Sequence, residues 1–173
     1  IKKVLLERGL WAAIKQRPYG IVANPADKPR AIFVSGFDSA PLAPDYNFTL
    51  KDEASNLQVA VDVLNKLTEG GLFVGVNGKN ASASPFSKLQ NVKLYGFTGA
   101  HPAGNVGVQI NNIAPINKGE IVWTIDPIFM VAIGKLFTQG VYDVTRTIAV
   151  AGNRVEKPCY VTCGPGCQIK DID

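Results

Sequence analysis

Three short apolar runs, at residues 31–34, 72–76 and 92–97, with one segment of helical period between the first two, leave this chain little choice of architecture. Over residues 52–69, Leu57, Ala60, Val61, Leu64 and Leu67 recur at the i, i+3/i+4, i+7 spacing that gathers side chains on one face of a helix. Gly70-Gly71 supplies its stop. A helix between two buried strands is the parallel crossover of an α/β fold. A polar turn over 77–83 and a helical turn over 84–89 join the second run to the third. A fourth strand is expected at 120–125, leading into Asp126-Pro127, a helix cap followed by a proline at the first helical position. That helix buries Phe129, Ala132, Ile133, Leu136 and Phe137 and ends at Gly140. Residues 145–150 read as a further strand. At the front, Val4, Leu5, Leu10, Trp11 and Ile14 predict a helix to about Lys15, stopped before Pro18, and residues 17–29 read as a loop. The resulting fold class is α/β, a mostly parallel sheet with helices on both faces.

The chemistry-bearing residues sit where such a sheet exposes its loops. Gly99-Ala-His101-Pro102-Ala-Gly104-Asn-Val-Gly107 holds the only histidine, amid four glycines from Gly96 to Gly107. Glycine at this density allows close approach of the backbone to another group. Apolar flanks at 92–97 and 106–110 predict a rigid loop pinned to the core at a sheet edge. Ser35-Gly36-Phe37-Asp38 follows the first strand, at the end where open α/β sheets take their ligands. Asp38 is either a turn or cap residue or a ligand-facing one. His101 is either a satisfied structural histidine or a hydrogen-bonding partner. Trp11, Tyr95 and Trp123 read as core or interface aromatics.

Several function classes are excluded. With 173 residues and 46% apolar content the chain is a single ordinary domain with room for a small appendage. Its net charge of +4 is spread along the sequence, without the basic stripe and stacking aromatics of a nucleic-acid binder. No run reaches the roughly 18 apolar residues of a membrane span, and no leader pattern is present, so a soluble piece is expected. It opens at Ile1 inside a helical pattern and stops at 170–173 without a closing element, as though cut from a longer protein. Cys159, Cys163 and Cys167 lack the C-x2-C spacing and fourth ligand of common zinc and iron–sulfur sites and read as small hydrophobes in a reducing compartment. Neither G-x-G-x-x-G, nor a P-loop, nor G-x-S-x-G occurs. No residue is assigned as catalytic, cofactor-binding or metal-ligating.

Gly9-Leu10-Trp11-Ala-Ala-Ile-Lys-Gln-Arg17-Pro18-Tyr19, Phe37-Asp38-Ser-Ala-Pro41-Leu42-Ala43, the His-Pro glycine loop, Trp123-Thr-Ile-Asp126 and Val131-Ala-Ile-Gly134-Lys135-Leu136-Phe137 together resemble the NqrA family, one of the subunits of the sodium-translocating NADH:quinone oxidoreductase. The blocks cover most of residues 4–158. The resemblance implies a Rossmann-like domain related to the flavin-bearing subunit of complex I, truncated at both ends. It divides the chain into that domain at 1–153 and the start of a small SLBB-like domain at 154–173. It also implies a peripheral subunit on the cytoplasmic side of the bacterial inner membrane, next to the membrane-embedded NqrB, in a complex that uses NADH and ubiquinone. The segment itself is expected to bind no cofactor, since the glycine-rich flavin-subunit run has no counterpart here. His101, Pro102, Gly104, Gly107, Asp38 and Trp11 are the candidates for contact with quinone or a neighbouring subunit. Members of that family often carry histidines where this chain has Gln109 and Asn111, leaving amide hydrogen bonds there to backbone or to a quinone carbonyl. The alternatives are a flavin- or NAD-binding redox domain and a pure assembly module.

Overall fold

Ile32, Val34, Leu72, Val74 and Val76 point to one face of a sheet, and each is at most 2% exposed. Burial on that scale removes roughly 2 kcal/mol of apolar cost per side chain, which fixes strand register. The computed structural model describes residues 1–171. Its elements are α1 (Lys2–Glu7), β1 (Lys15–Arg17), β2 (Ile21–Val22), β3 (Ile32–Ser35), α2 (Tyr46–Thr49), α3 (Ala54–Asn65) and β4 (Leu72–Asn77). There follow β5 (Val92–Phe97), α4 (Val106–Ile113), β6 (Val122–Thr124), α5 (Pro127–Gln139), β7 (Arg146–Val150) and β8 (Cys159–Cys163). A helical turn at Ile169–Asp171 ends the description. The last two residues of the terminus read at 170–173 lie outside the described residues.

Six strands form one sheet in the order β2-β1-β6-β3-β4-β5. β6, β3, β4 and β5 run parallel, whereas β1 is antiparallel to both β6 and β2. The larger core lies under α3 and α5, where Leu57, Leu64, Met130 and Ile133 meet Ile32, Val74 and Trp123. Those two helices pack closely at Gly134, where a Cβ would lie 2.1 Å from the carbonyl oxygen of Asn56. A smaller core on the other face joins Ile110 of α4 to Ala31, Phe33 and Val122. Helices therefore cover both faces of a mostly parallel sheet.

The front of the chain departs from its expected helix. Gly9 takes a left-handed conformation with φ of 77° and ends α1, a helical turn covers Leu10–Ala13, and Lys15–Arg17 is a strand. The expected loop over 17–29 contains β2, the partner of β1. The helix α3 ends at Asn65, with Lys66 as its cap, rather than at Gly70-Gly71. Gly70 serves a different need, since a Cβ there would lie 1.9 Å from the carbonyl oxygen of Arg30. Between β4 and β5 the chain makes turns and a short 3-10 segment at Ala81–Ala83. Helix α4 lies outside the expected elements, although Asn105 caps it by accepting from the Gly107 N–H. The strand read at 145–150 forms as β7, but it pairs only with β8, in a separate antiparallel ribbon that straddles residue 153. The cysteines do not behave as buried hydrophobes: Cys159 and Cys167 are exposed and Cys163 is half-buried. The neighbouring Cys167 thiol pushes the Cys163 thiol above its usual range. Among the described residues, no group of three or more His, Cys, Asp or Glu could hold a metal.

Candidate functional site

The strand order places a topological break at the centre of the sheet. From β3 the chain crosses by α3 to β4 on one side, while β6, reached by α4 from β5, lies on the other. Loops leaving the C-terminal ends of β3 and β6 therefore diverge, and in open α/β sheets the crevice between them is the usual ligand site. Here that crevice is a cleft of about 730 Å³. Phe37 and Asp38 enter it from the end of β3, Ile125 and Asp126 from the end of β6, and His101, Gly104 and Asn105 from the loop before α4. Ala12, Ala13 and Lys15 close one side, and Tyr142 and Arg146 reach it from the approach to the ribbon.

The His-Pro loop is not left at the sheet edge. It begins at edge strand β5 but is drawn back over β3 by three side chains. The Ser35 hydroxyl lies 2.7 Å from the carbonyl oxygen of Gly104 and 2.8 Å from that of Phe37. The buried Gln109 amide donates to Ser35 Oγ at 2.9 Å and to the Ala103 carbonyl at 3.2 Å. The Ser39 hydroxyl accepts from the Gly104 N–H at 2.8 Å and lies 3.1 Å from Nδ1 of His101. A side chain at Gly104 is impossible without movement, because its Cβ would lie 2.5 Å from Ser39 N. The close approach read into Gly104 is thus filled by the chain's own 37–39 loop. Gly107 likewise faces its own cap, Asn105.

The remaining candidates divide. Asp38 makes a turn, accepting from the Ala40 N–H at 2.8 Å, and also lines the cleft. His101 lines the cleft and is exposed, as is Pro102 beside it. Trp11 stands apart, only 3% exposed, donating its indole N–H to Ala23 O at 2.7 Å and meeting Trp123 edge-on at 5.4 Å. Tyr95 is 41% exposed on edge strand β5 and belongs to neither core. Gln109 bonds to backbone and to Ser35, and Asn111 is exposed.

Ser39, Tyr46 and Arg146 are not singled out by sequence, and Ser35 only as part of the 35–38 segment, so that their roles come from the structure. The Tyr46 hydroxyl donates to Asp126 at 3.3 Å, and burial, followed by the Asp126 charge, pushes the phenol well above its usual range. Arg146 lies over the Phe129 ring at 4.7 Å. The cleft thus joins apolar walls to a few polar groups, the pattern of a small-molecule or partner site.

Dinucleotide binding is poorly served. The β3–α3 connection runs from Gly36 to Glu53 and contains α2, whereas a phosphate cradle is a tight turn onto a helix N-terminus. The residue before α3 is an acid, Glu53, held by Asn56 and Lys135. Asp126, also an acid, caps α5.

The family described as NqrA second alpha/beta domain matches residues 1–142, four residues short of β7. The Na(+)-translocating NADH-quinone reductase A-subunit of Saccharophagus degradans is 36% identical over 168 residues, covering 97% of this chain and 37% of that protein. The protein of the same name from Cellvibrio japonicus is 35% identical over 172 residues, covering 99% and 38%. That of a Marinomonas species is 37% identical over 168 residues, covering 97% and 37%. The chain therefore spans little more than a third of the length of these relatives.

Proposed function

This chain belongs to the NqrA second alpha/beta domain family, and on that premise we propose that it serves a sodium-pumping NADH:quinone oxidoreductase as part of a peripheral, non-redox subunit. In this reading it contributes to quinone reduction and to assembly of the complex, on the cytoplasmic side of the bacterial inner membrane. Its partners are the other subunits, chiefly the membrane-embedded NqrB, and quinone, with no nucleic acid. Among the described residues no helix is long and apolar enough to cross a membrane. Residues 1–153 are the Rossmann-like domain, related in fold to the complex I flavin subunit. Residues 154–173 open a following small domain, whose strand β8 pairs back onto β7.

The observation that carries the reading is the cleft at the β3/β6 break. Phe37, Val106, Ile125 and Phe129 offer apolar walls of the kind that hold a planar ring, while His101, Lys15 and Tyr46 supply hydrogen-bonding groups. The residues before α3 and α5 are acids, Glu53 and Asp126, which favours the non-redox reading over a flavin or NADH site.

The test uses the intact subunit. Purified, it is expected to show no flavin absorbance, to bind a short-chain ubiquinone, and to show no thermal shift with NADH. Replacing the exposed, cleft-lining Ala12 by Trp fills the space without touching the core and is expected to abolish quinone binding. Unchanged binding in Ala12→Trp moves the quinone site out of this cleft. A yellow, NADH-responsive protein replaces the reading with a redox domain.

A further inference from the structure

One hydrogen-bond chain ends on the cleft's histidine and favours one tautomer of its ring. A hydroxyl has one hydrogen to donate and two lone pairs to accept with. The Ser39 hydroxyl accepts from the Gly104 N–H at 2.8 Å, so one lone pair is taken. Its hydrogen then has one protein acceptor within reach among the described residues, Nδ1 of His101 at 3.1 Å, whereas the reverse arrangement, with Nδ1–H donating to the second lone pair, leaves that hydrogen to solvent. With Nδ1 accepting, the neutral ring carries its proton on Nε2.

Both ends of this chain are fixed. Gly104 is locked against the 37–39 backbone, where a Cβ would lie 2.5 Å from Ser39 N. Its carbonyl is held by Ser35, which is held in turn by the buried Gln109. Ser39 is not among the residues that line the cleft, while His101 is.

We propose that Ser39 is a positioning residue that holds His101 as the Nε2–H tautomer, and that this outward N–H is the neutral donor for a carbonyl oxygen of a ring bound in the cleft. The proposal rests on the reading of the cleft as a quinone site and adds the atom that meets the ring. The other nitrogen donors at the ends of long side chains there, Lys15 and Arg146, are cations rather than neutral donors. The Tyr46 hydroxyl is turned to Asp126, and Arg146 covers the Phe129 ring. A quinone carbonyl accepts hydrogen bonds and cannot donate them, so a ring with Nε2 unprotonated would face it with a lone pair.

Two measurements on the intact subunit test this. The first reads the ring nitrogens of 15N-labelled histidine by long-range proton–nitrogen correlation, with the His101 signals identified by their loss in His101→Gln. The wild type is expected to be protonated at Nε2 alone, Ser39→Ala to mix the two tautomers, and Ser39→Thr, which keeps a hydroxyl, to restore the first state. The second titrates a short-chain ubiquinone. Ser39→Ala is expected to raise the dissociation constant roughly threefold to tenfold, the worth of one oriented neutral hydrogen bond, with recovery in Ser39→Thr. A wild-type ring protonated at Nδ1 overturns the proposal, and so do equal affinities in wild type and Ser39→Ala. A wild type that binds no quinone overturns the reading of the cleft and the ligand half of the proposal with it, while the nitrogen signals still judge Ser39.

Discussion

Two glycine-bearing turns of this chain, residues 98–105 before α4 and residues 164–167 after β8, use the residue in opposite ways. At Gly104 glycine makes room, because a Cβ would strike the backbone of Ser39 and lie 3.0 Å from the Phe37 carbonyl oxygen. At Gly166 it makes a turn, with φ of +86° and open space where a Cβ would stand. The attachments differ in the same way. The first loop is stapled by neutral hydrogen bonds around a buried amide, Gln109. The ribbon that carries the second meets the body through Arg146 over Phe129 and Tyr160 stacked on Phe48 at 4.6 Å. Just before it, Asp143 is tied to α5 through Lys135. The first loop is part of the sheet's own packing, and the second is appended to it.

The sharpest way to break this contrast is a pair of alanines. Gly104→Ala must push two backbone segments apart and is expected to cost roughly 3 kcal/mol, the upper range for overpacking. Gly164→Ala, at a position without positive φ and with nothing within 4 Å, is expected to stay within about 0.5 kcal/mol of the wild type. Urea unfolding of the intact subunit followed at this domain reads both. Equal effects would mean that the two turns are held alike.

A milder probe uses charge. Lys135 donates to Asp143 at 2.8 Å and lies 3.2 Å from Glu53, joining the start of α3, helix α5 and the approach to the ribbon. Lys135 and the Thr145 hydroxyl and N–H hold the Asp143 carboxyl down at about 2, against an ordinary value of 3.8. Because this folded-state value is depressed, the stabilisation is complete above the ordinary value and is lost as pH falls from about 4 through 2. Lys135→Met is therefore expected to cost roughly 1 kcal/mol near neutral pH and progressively less below pH 4. Protection of the β7 and β8 amides against hydrogen exchange is expected to fall over the same window, while that of Gln109 holds. A pH-independent effect of Lys135→Met would show that packing of its alkyl chain, and not charge, secures the ribbon.

What is legible in sequence follows from how local each determinant is. Helices α3 and α5 declare themselves because their apolar stripes repeat over several turns, and the Asp126-Pro127 start adds a cap within two residues. Strands β3, β4 and β5 are apolar runs bounded by turn residues. Strand β1 is the polar Lys15-Gln-Arg17, and only pairing with β6 and β2 makes it a strand. Helix α4 is eight residues long and contains Gly107, so its sole strong signals are the Asn105 cap and the spacing of Val106, Ile110 and Ile113. At the site, His101 and Asp38 stand out by type and place. Ser39 and Ser35 do not, because the bonds that give them roles join residues 62 and 69 positions apart. A one-dimensional reading sees two ordinary serines after a strand.

The smallest expected effect concerns the ribbon's contact with the 45–48 segment, which the Tyr160 side chain makes in two ways. Its hydroxyl accepts from the Asp45 N–H at 2.9 Å, and its ring stacks on Phe48. The N–H lies in an exposed setting where water replaces a lost partner, so Tyr160→Phe is expected to cost about 0.5 kcal/mol or less. Tyr160→Ala also removes the stacked ring, for which an aromatic pair adds roughly 0.5–1.5 kcal/mol. If the ribbon is appended as described, both changes loosen β7 and β8 in hydrogen exchange and leave the amides of Gly104 and Gln109 untouched. If Tyr160→Phe instead slows or quickens exchange at Gly104, the ribbon and the stapled loop are coupled across the cleft, and Arg146, which lines it, is the side chain placed to carry that coupling.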